Sequence, residues 1–213
     1  MYYKFWSYLV YLYGLAAQTI WPCEEPAKMS AGNLNTAEYF GSWYFIAAAG
    51  ESDSDLQMFK PMDNTLFDLQ GAGIPERLVL NGAIKVGNHC IEKKWIYYIH
   101  HYRDDLELEG RPLMKTYIFE SDCKDCIIML EKQDEGEHQF KRMMLYARSA
   151  TLSSEHIEHF QKKAACVGMK EFMVLPREKG LIRRTDSNSM LFSISVCIGG
   201  TAARAVWWKN LGN

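Results

Sequence analysis

The sequence lacks the features that mark several common classes of enzyme and of nucleic-acid-binding protein. Its 24 Lys and Arg against 26 Asp and Glu leave a net charge of −2, without the basic excess that binding to nucleic acid requires. The sequence contains no His-Glu-x-x-His or Gly-x-Ser-x-Gly motif, and a single Cys-x-x-Cys cannot form the paired motif of a structural zinc site. We therefore expect a protein that is not an enzyme and that has no metal ion, other cofactor or nucleic-acid partner.

The composition of the chain is that of a folded protein from an oxidising compartment. Hydrophobic residues make up 48% of the 213 residues and aromatic residues 13%, which suffices for one sizeable core. The six cysteines are spread along the chain from Cys23 to Cys197, behind an apolar N-terminus, a pattern that favours disulfides and secretion. No ordinary Asn-x-Ser/Thr sequon is present, so N-glycosylation is not expected.

Residues 1–22 form a hydrophobic segment that is interpreted as a signal or an anchor. Lys4 is followed by residues 5–17, which carry no charge. Thirteen residues fit the apolar part of a signal peptide and are too few to span a membrane, which takes about 20. Gly14-Leu15-Ala16 matches a cleavage site poorly. Two outcomes remain: the segment is removed, or it is retained as an aromatic-rich anchor at a lipid surface.

After a polar lead-in, predicted as a loop over residues 23–38, the pattern changes to short β-runs separated by turn residues. Eight runs follow in order, at residues 42–49, 64–70, 76–86, 90–101, 105–109, 113–119, 127–132 and 137–147. The period then becomes helical over residues 154–166, and a last strand is predicted at 171–175. This order predicts an all-β fold over residues 39–178: an eight-stranded antiparallel up-and-down barrel with one C-terminal α-helix and a short final strand.

Two short motifs at the ends of the predicted barrel resemble those of the lipocalin family. Gly41-Ser42-Trp43 opens the first strand, and Leu145-Tyr146-Ala147-Arg148 ends the last one. The resemblance implies that Arg148 lies across the Trp43 ring at the closed end of the barrel. Further blocks, among them Lys94-Trp95-Ile96-Tyr97 and Glu109-Gly110-Arg111-Pro112, are similar to a lipoprotein-associated member of that family.

The resemblance implies a secreted carrier. It implies that the barrel binds sphingosine-1-phosphate or a similar phosphorylated amphipathic lipid. It also implies that the N-terminal segment attaches the protein to the surface of lipoprotein particles, high-density lipoprotein in particular. Two alternatives remain open: a lipocalin that carries a neutral apolar ligand such as a retinoid or a fatty acid, and a lipocalin-type enzyme.

The candidate binding residues combine cations with aromatic hydrogen-bond donors. Because alternate side chains of a strand share a face, Lys93, Trp95 and Tyr97 are expected on one face. By resemblance, the headgroup end of the pocket is lined by Lys93, Trp95, Tyr97, Arg111, Arg142 and Tyr146. Glu131 is a candidate partner for the ammonium group of the lipid. The apolar lining is expected from inward side chains: Phe45, Phe67, Leu78, Leu80 and Met144.

The last predictions concern which cysteines form disulfides and whether the C-terminal tail is ordered. The resemblance implies a disulfide between Cys23 and Cys166. The pairing of Cys90, Cys123, Cys126 and Cys197 stays open, with a Cys123–Cys126 bridge as one alternative. Residues 179–213 diverge from the family, and they are expected to be a poorly ordered terminus; the alternative is a second anchor.

Overall fold

A computed structural model describes residues 2–20, 23, 25–74 and 76–178 of the chain. Its centre is a closed barrel of eight antiparallel strands, which confirms the predicted fold class. Each strand pairs with the next, and the eighth pairs back with the first and so closes the barrel. The barrel strands are β2 (Gly41–Gly50), β3 (Met62–Gly71), β4 (Arg77–Val86), β5 (His89–Ile99), β6 (Leu106–Leu108), β7 (Lys115–Phe119), β8 (Cys126–Gln133) and β9 (Phe140–Ala147).

The remaining elements lie outside the barrel wall. The helices are α1 (Tyr2–Ile20), the short α2 (Asp53–Leu56) and α3 (Ser154–Cys166), and the two strands are β1 (Lys28–Met29) and β10 (Glu171–Val174). The helix α3 has the predicted bounds, and its N-cap Ser153 accepts a hydrogen bond from the backbone N–H of His156. Strand β10 adds to the barrel beside β2.

Strand β2 separates two apolar layers, which explains why it is buried along most of its length. Its inward side chain Phe45 belongs to the interior of the barrel. Its outward Ile46 and Ala49 pack in a second layer with Phe160 and Ala164 of α3. A strand buried on both faces loses the apolar–polar alternation of a half-exposed strand. The outer face of β2 therefore carries small and apolar residues because α3 covers this part of the barrel.

The lead-in is more ordered than its prediction as a loop. Within residues 23–38, β1 pairs with β7, and 3-10 turns occupy Ala31–Asn33 and Thr36–Tyr39. The turn at Thr36–Tyr39 agrees with a loop that ends in a short turn before the barrel. Strand β1 was not predicted, because a two-residue strand pairs through the backbone and shows no alternation in the sequence. The helix α2 was also missed, although Ser52 and Asp55 form a capping box at its start.

The first helix presents a broad apolar surface to the solvent. Its exposed large side chains are Tyr3, Phe5, Trp6, Tyr8, Leu9, Val10, Tyr11, Leu12 and Tyr13. Neither α1 nor another helix of the described residues is long and apolar enough to cross a membrane. The predicted tail at residues 179–213 lies outside the described residues.

Two disulfides are defined within the described part of the chain. Cys23 is joined to Cys166 at the end of α3, with the Cα atoms 5.4 Å apart. Cys123 is joined to Cys126 in the turn between β7 and β8, with the Cα atoms 5.2 Å apart. Cys90 is disulfide-bonded as well, whereas its candidate partner Cys197 lies outside the described residues.

Candidate ligand-binding site

The interior of the barrel contains a large cavity and a smaller apolar chamber beneath it. The cavity measures about 850 Å³, and the chamber about 60 Å³. Four residues line both spaces and form a waist between them: Phe67, Leu80, Tyr97 and Tyr146. Trp43 lines the chamber, which places the chamber at the closed end. The interior thus consists of a large cavity towards the mouth and a small apolar chamber at the floor.

All six candidate binding residues line the large cavity. Lys93, Trp95 and Tyr97 come from one face of β5, as the alternation predicts, and Arg111 lies in the turn before β7. Arg142 and Tyr146 come from one face of β9, and Glu131 of β8 also lines the cavity. The expected apolar residues Phe45, Phe67, Leu80 and Met144 lie there too, whereas Leu78 lines the chamber.

Two cations lie at the mouth of the cavity. Burial lowers the pKa of Lys93, and the positive charge of Arg111 lowers it further. Arg111 is exposed and makes no ion pair with another described residue. An anion beside both groups would relieve their repulsion, and the planar guanidinium of Arg111 suits the oxygens of a phosphate.

A buried ion pair lies deeper in the cavity wall. Arg142 Nε donates to Glu131 Oε2 at 2.8 Å, and Arg142 Nη2 donates to the same oxygen. Both side chains are about nine-tenths buried. The guanidinium also lies over the rings of Phe59 and Phe140, with its carbon 5.0 and 4.5 Å from the ring centroids. Arg142 therefore already has a carboxylate partner, whereas Arg111 has no ion-pair partner among the described residues.

The two tyrosines of the waist are neutral hydrogen-bond donors. Burial raises the pKa of Tyr97 and of Tyr146, and the nearby charge of Glu131 raises both further. The Tyr146 ring stacks on Phe45, with 5.3 Å between their centroids. Each hydroxyl therefore keeps its proton in neutral solution and can donate to the polar part of a ligand.

Gly82 is a site residue that the sequence predictions missed. It pairs with Phe67 on β3 and with Lys93 on β5. A Cβ atom at Gly82 would lie 2.7 Å from the Trp95 ring and 2.8 Å from the Phe67 ring. Because that space is taken, only glycine lets the two rings meet edge to face at 5.6 Å. The available signal was a glycine inside a strand, which often marks a close approach.

Part of the cavity wall comes from the segment between β2 and β3, which the strand alternation does not predict. Met58 and Phe59 of this segment, together with Met62 at the start of β3, line the cavity from this side, and Arg142 donates a hydrogen bond to the sulfur of Met58. The same segment holds α2. No periodic pattern in the sequence links these residues to the barrel interior, because a connection follows no strand or helix repeat.

The fold-motif residues meet at the closed end. The guanidinium carbon of Arg148 lies 3.7 Å from the Trp43 ring centroid. Arg148 also donates to the backbone carbonyls of Ser42 and Glu38, and the Trp43 indole donates to the Tyr39 carbonyl at 2.8 Å. Gly41 has a φ of +100°, and a Cβ there would lie 3.3 Å from Arg148. The pair binds the lead-in to the barrel floor.

Comparison with known proteins assigns the chain to a family. The ApoM domain model matches residues 1–186. The chain belongs to the apolipoprotein M family. It is 33% identical over 186 residues to apolipoprotein M of Mus musculus and, equally, to that of Rattus norvegicus. Each alignment covers 84% of this chain and 96% of the relative.

Solved structures of other lipocalins share the barrel. The siderocalin Ex-FABP, described as functioning through dual ligand specificities, has a TM-score of 0.56 at 19% identity and covers 65% of this chain and 94% of its own. Siderocalin Q83, described as having a dual ligand binding mode, has a TM-score of 0.58 at 18% identity, and the match covers 69% of this chain and 94% of that structure's chain. At these identities the likeness shows the fold alone.

Family and fold together support a lipid-binding carrier. Both mammalian relatives are named as apolipoproteins. The architecture agrees with this class, since a closed eight-stranded barrel can hold one small ligand. The identity of the ligand depends on the polar residues of the cavity.

Proposed function

We propose that this protein is an extracellular carrier of sphingosine-1-phosphate or a similar phosphorylated amphipathic lipid. The lipid headgroup would occupy the mouth of the cavity, and its chain would extend towards the waist. The observation that carries the proposal is that Lys93 and Arg111 line the mouth of one cavity together. Most of the other lining residues are apolar or aromatic, and the further polar ones are Glu109, Glu131, Gln133, His138 and Arg142. The interior changes from cationic side chains at the mouth to apolar side chains at the floor, which matches a lipid with an anionic headgroup on a hydrocarbon chain.

The assignment of roles follows the depth of each residue. Arg111 and Lys93 would contact the phosphate, because they lie at the mouth and repel each other in the absence of an anion. Tyr97 and Tyr146 would donate hydrogen bonds where the headgroup meets the chain. The carboxylate of Glu131 would attract the ammonium group, as far as its pairing with Arg142 allows.

The test compares ligands that differ only in the phosphate. Arg111→Ala is expected to weaken sphingosine-1-phosphate binding by roughly 10- to 100-fold, because a hydrogen bond to a charged group contributes about 1.5–3 kcal/mol. The same substitution should weaken the binding of sphingosine, which lacks the phosphate, far less. Binding can be followed through quenching of the tryptophan fluorescence. Equal losses for both lipids would refute the assigned headgroup site.

A matched pair of lysines on β5 provides the control. Lys93 lines the cavity, whereas its neighbour Lys94 is exposed on the other face of the strand. Lys93→Ala should weaken binding of the phosphorylated lipid, and Lys94→Ala should leave it unchanged. The same loss in both variants would indicate a general effect of net charge rather than a site.

A neutral apolar ligand is the second candidate, and the apolar chamber favours it. The chamber is lined almost wholly by apolar and aromatic side chains, with Leu69, Leu78 and Ile118 among them. A retinoid or a fatty acid should then compete with sphingosine-1-phosphate at similar concentrations. Tight retinoid binding that is insensitive to Arg111→Ala, together with weak binding of the phosphorylated lipid, would favour this candidate.

The association with lipoprotein particles is proposed to depend on α1. Its exposed aromatic and aliphatic side chains suit the boundary between lipid and water. We expect the full chain to sediment with phosphatidylcholine vesicles and with high-density lipoprotein. Trp6→Asp combined with Tyr8→Asp should abolish sedimentation, whereas Tyr102→Asp, at a fully exposed aromatic residue of the barrel, should not. N-terminal sequencing of the secreted protein shows whether the segment is retained.

A further inference from the structure

A second small site lies on the outer surface of the barrel, away from the lipid cavity. It is a depression of about 10 Å³ between α3 and the turn that joins β7 to β8. The turn contributes the disulfide Cys123–Cys126, and α3 contributes polar and cationic side chains. The polar residues that line the depression are Ser121, Asp122, His156, His159 and Lys163. Its volume admits one water-sized group and excludes a lipid.

The two cysteines of this disulfide differ in burial. Cys126 is 8% exposed and packs in the layer beneath α3, whereas Cys123 is partly exposed. An external thiol can therefore reach Cys123 more easily than Cys126. This asymmetry, with one partly exposed and one buried cysteine in a Cys-x-x-Cys turn, suits thiol–disulfide exchange.

The turn keeps its shape through bonds other than the disulfide. The backbone N–H of Cys126 donates to the carbonyl of Cys123 at 3.1 Å, and the N–H of Cys123 donates to Ser121 Oγ at 3.3 Å. The flanking strands stay paired through the ladder that ends at Phe119 and Ile128. Reduction should therefore leave the two thiols as neighbours in a folded barrel, ready to form the bond again.

The charges beside the disulfide come from α3 and from one carboxylate. Lys163 Nζ donates to Asp122 at 2.8 Å, and His159 Nδ1 lies 3.7 Å from the same carboxylate. A cation near a thiol favours the thiolate, which is both the reactive form and the better leaving group. Asp122 partly offsets that effect by pairing with Lys163.

We propose that Cys123–Cys126 is a redox-active disulfide that exchanges with external thiols in the folded protein. A thiolate attacks Cys123 Sγ, a mixed disulfide forms there, and the electron pair of the broken bond leaves on Cys126 Sγ. A second thiolate attacks the external sulfur of the mixed disulfide and releases Cys123 as a thiolate. Both cysteine thiolates take up protons from water, so two external thiols are oxidised to one disulfide and Cys123–Cys126 is reduced to two thiols.

The first test equilibrates the full-length protein with glutathione buffers of increasing reducing strength. Acid quenching, alkylation and peptide mass spectrometry then report the state of Cys123 and Cys126. We expect the pair to titrate between disulfide and dithiol while the circular dichroism of the barrel and its lipid binding stay unchanged. Persistence of the disulfide until the barrel unfolds, or unfolding caused by its reduction, would overturn the proposal.

The second test identifies the attacked sulfur with two single variants. Cys126→Ser leaves Cys123 alone, and Cys123→Ser leaves the buried Cys126 alone. Incubation with oxidised glutathione should add glutathione to Cys123 several-fold faster than to Cys126, as measured by intact-mass spectrometry. Both variants keep a single thiol in the same turn, so each serves as the control of the other. Equal rates, or faster addition to Cys126, would contradict the assignment.

The third test addresses the cations of α3. Asp122→Asn frees Lys163 from its carboxylate partner, so the thiolates should be stabilised and the equilibrium should shift towards the dithiol in the same glutathione buffer. Asp134→Asn is the matched control, because it removes an acidic side chain from another turn, where Asp134 pairs with Lys132. A shift no larger in Asp122→Asn than in Asp134→Asn would show that α3 does not tune the disulfide.

Discussion

The buried pair of Glu131 and Arg142 allows a stability prediction with a worked magnitude. Removing one partner of such a pair costs about 3–5 kcal/mol, because the remaining charge is left buried without compensation. In this protein the rings of Phe59 and Phe140 still attract the guanidinium, and the cavity gives it some access to water. We therefore expect Glu131→Ala to lower the free energy of unfolding by about 3 kcal/mol, at the low end of that range. For a chain of this size this corresponds to a fall of roughly 6–12 °C in Tm.

Replacing both partners separates the cost of an orphaned charge from the loss of packing. The double variant Glu131→Leu with Arg142→Met should have a free energy of unfolding within about 1 kcal/mol of that of the unchanged protein, since an apolar pair of similar size needs no charge compensation. The measurement is urea unfolding followed by circular dichroism. Asp134→Ala, which breaks an exposed pair with Lys132, should change the free energy of unfolding by less than about 1 kcal/mol.

The reasoning is refuted if the single and double variants lose the same stability. That result would mean that the shape of the two side chains matters rather than their charge. A loss in Glu131→Ala no larger than in the exposed control would refute it as well. The orphaned Arg142 is also expected to bind an added anion, so a phosphorylated lipid should restore more stability to Glu131→Ala than sphingosine does.

Three further predictions concern the barrel. Gly82→Ala should cost about 1–3 kcal/mol in urea unfolding and weaken lipid binding, because the new methyl group displaces the two aromatic rings above it. Arg148→Ala should lower Tm and alter the fluorescence of Trp43, whereas Arg148→Lys should retain part of the cation contact. Because the pKa of Tyr97 and Tyr146 is raised on folding, stability should decline as the pH rises above the ordinary tyrosine value of 10.0. Replacing both with Phe should flatten that decline, and no change in slope would contradict the reasoning.

The sequence predicted the barrel well because antiparallel strands carry their own local signals. Turn residues separate the runs, and alternation assigns Lys93, Trp95 and Tyr97 to one face of β5, where the structure has them. The bounds of α3 followed from its serine cap and helical period. The six candidate cavity residues were named through the lipocalin resemblance, since alternation alone does not distinguish the interior of a barrel from its outer face.

Other features are set by contacts between segments that are distant in the chain. The two residues of β1 form a strand because they pair with the backbone of β7. Met58 and Phe59 line the cavity from a connection whose sequence follows no strand or helix repeat. The need for glycine at position 82 depends on two rings that come from neighbouring strands.

The sequence by itself determined the order of the eight barrel strands, which residues of a strand share a face, and the position of α3, because these depend on local period and turn chemistry. Only the tertiary structure decided which charges meet. It paired Glu131 with Arg142, left Arg111 without an ion-pair partner among the described residues, and placed the Cys123–Cys126 turn beside α3. The physical reason is that charge compensation and burial depend on distances through space, which the closure of the barrel fixes.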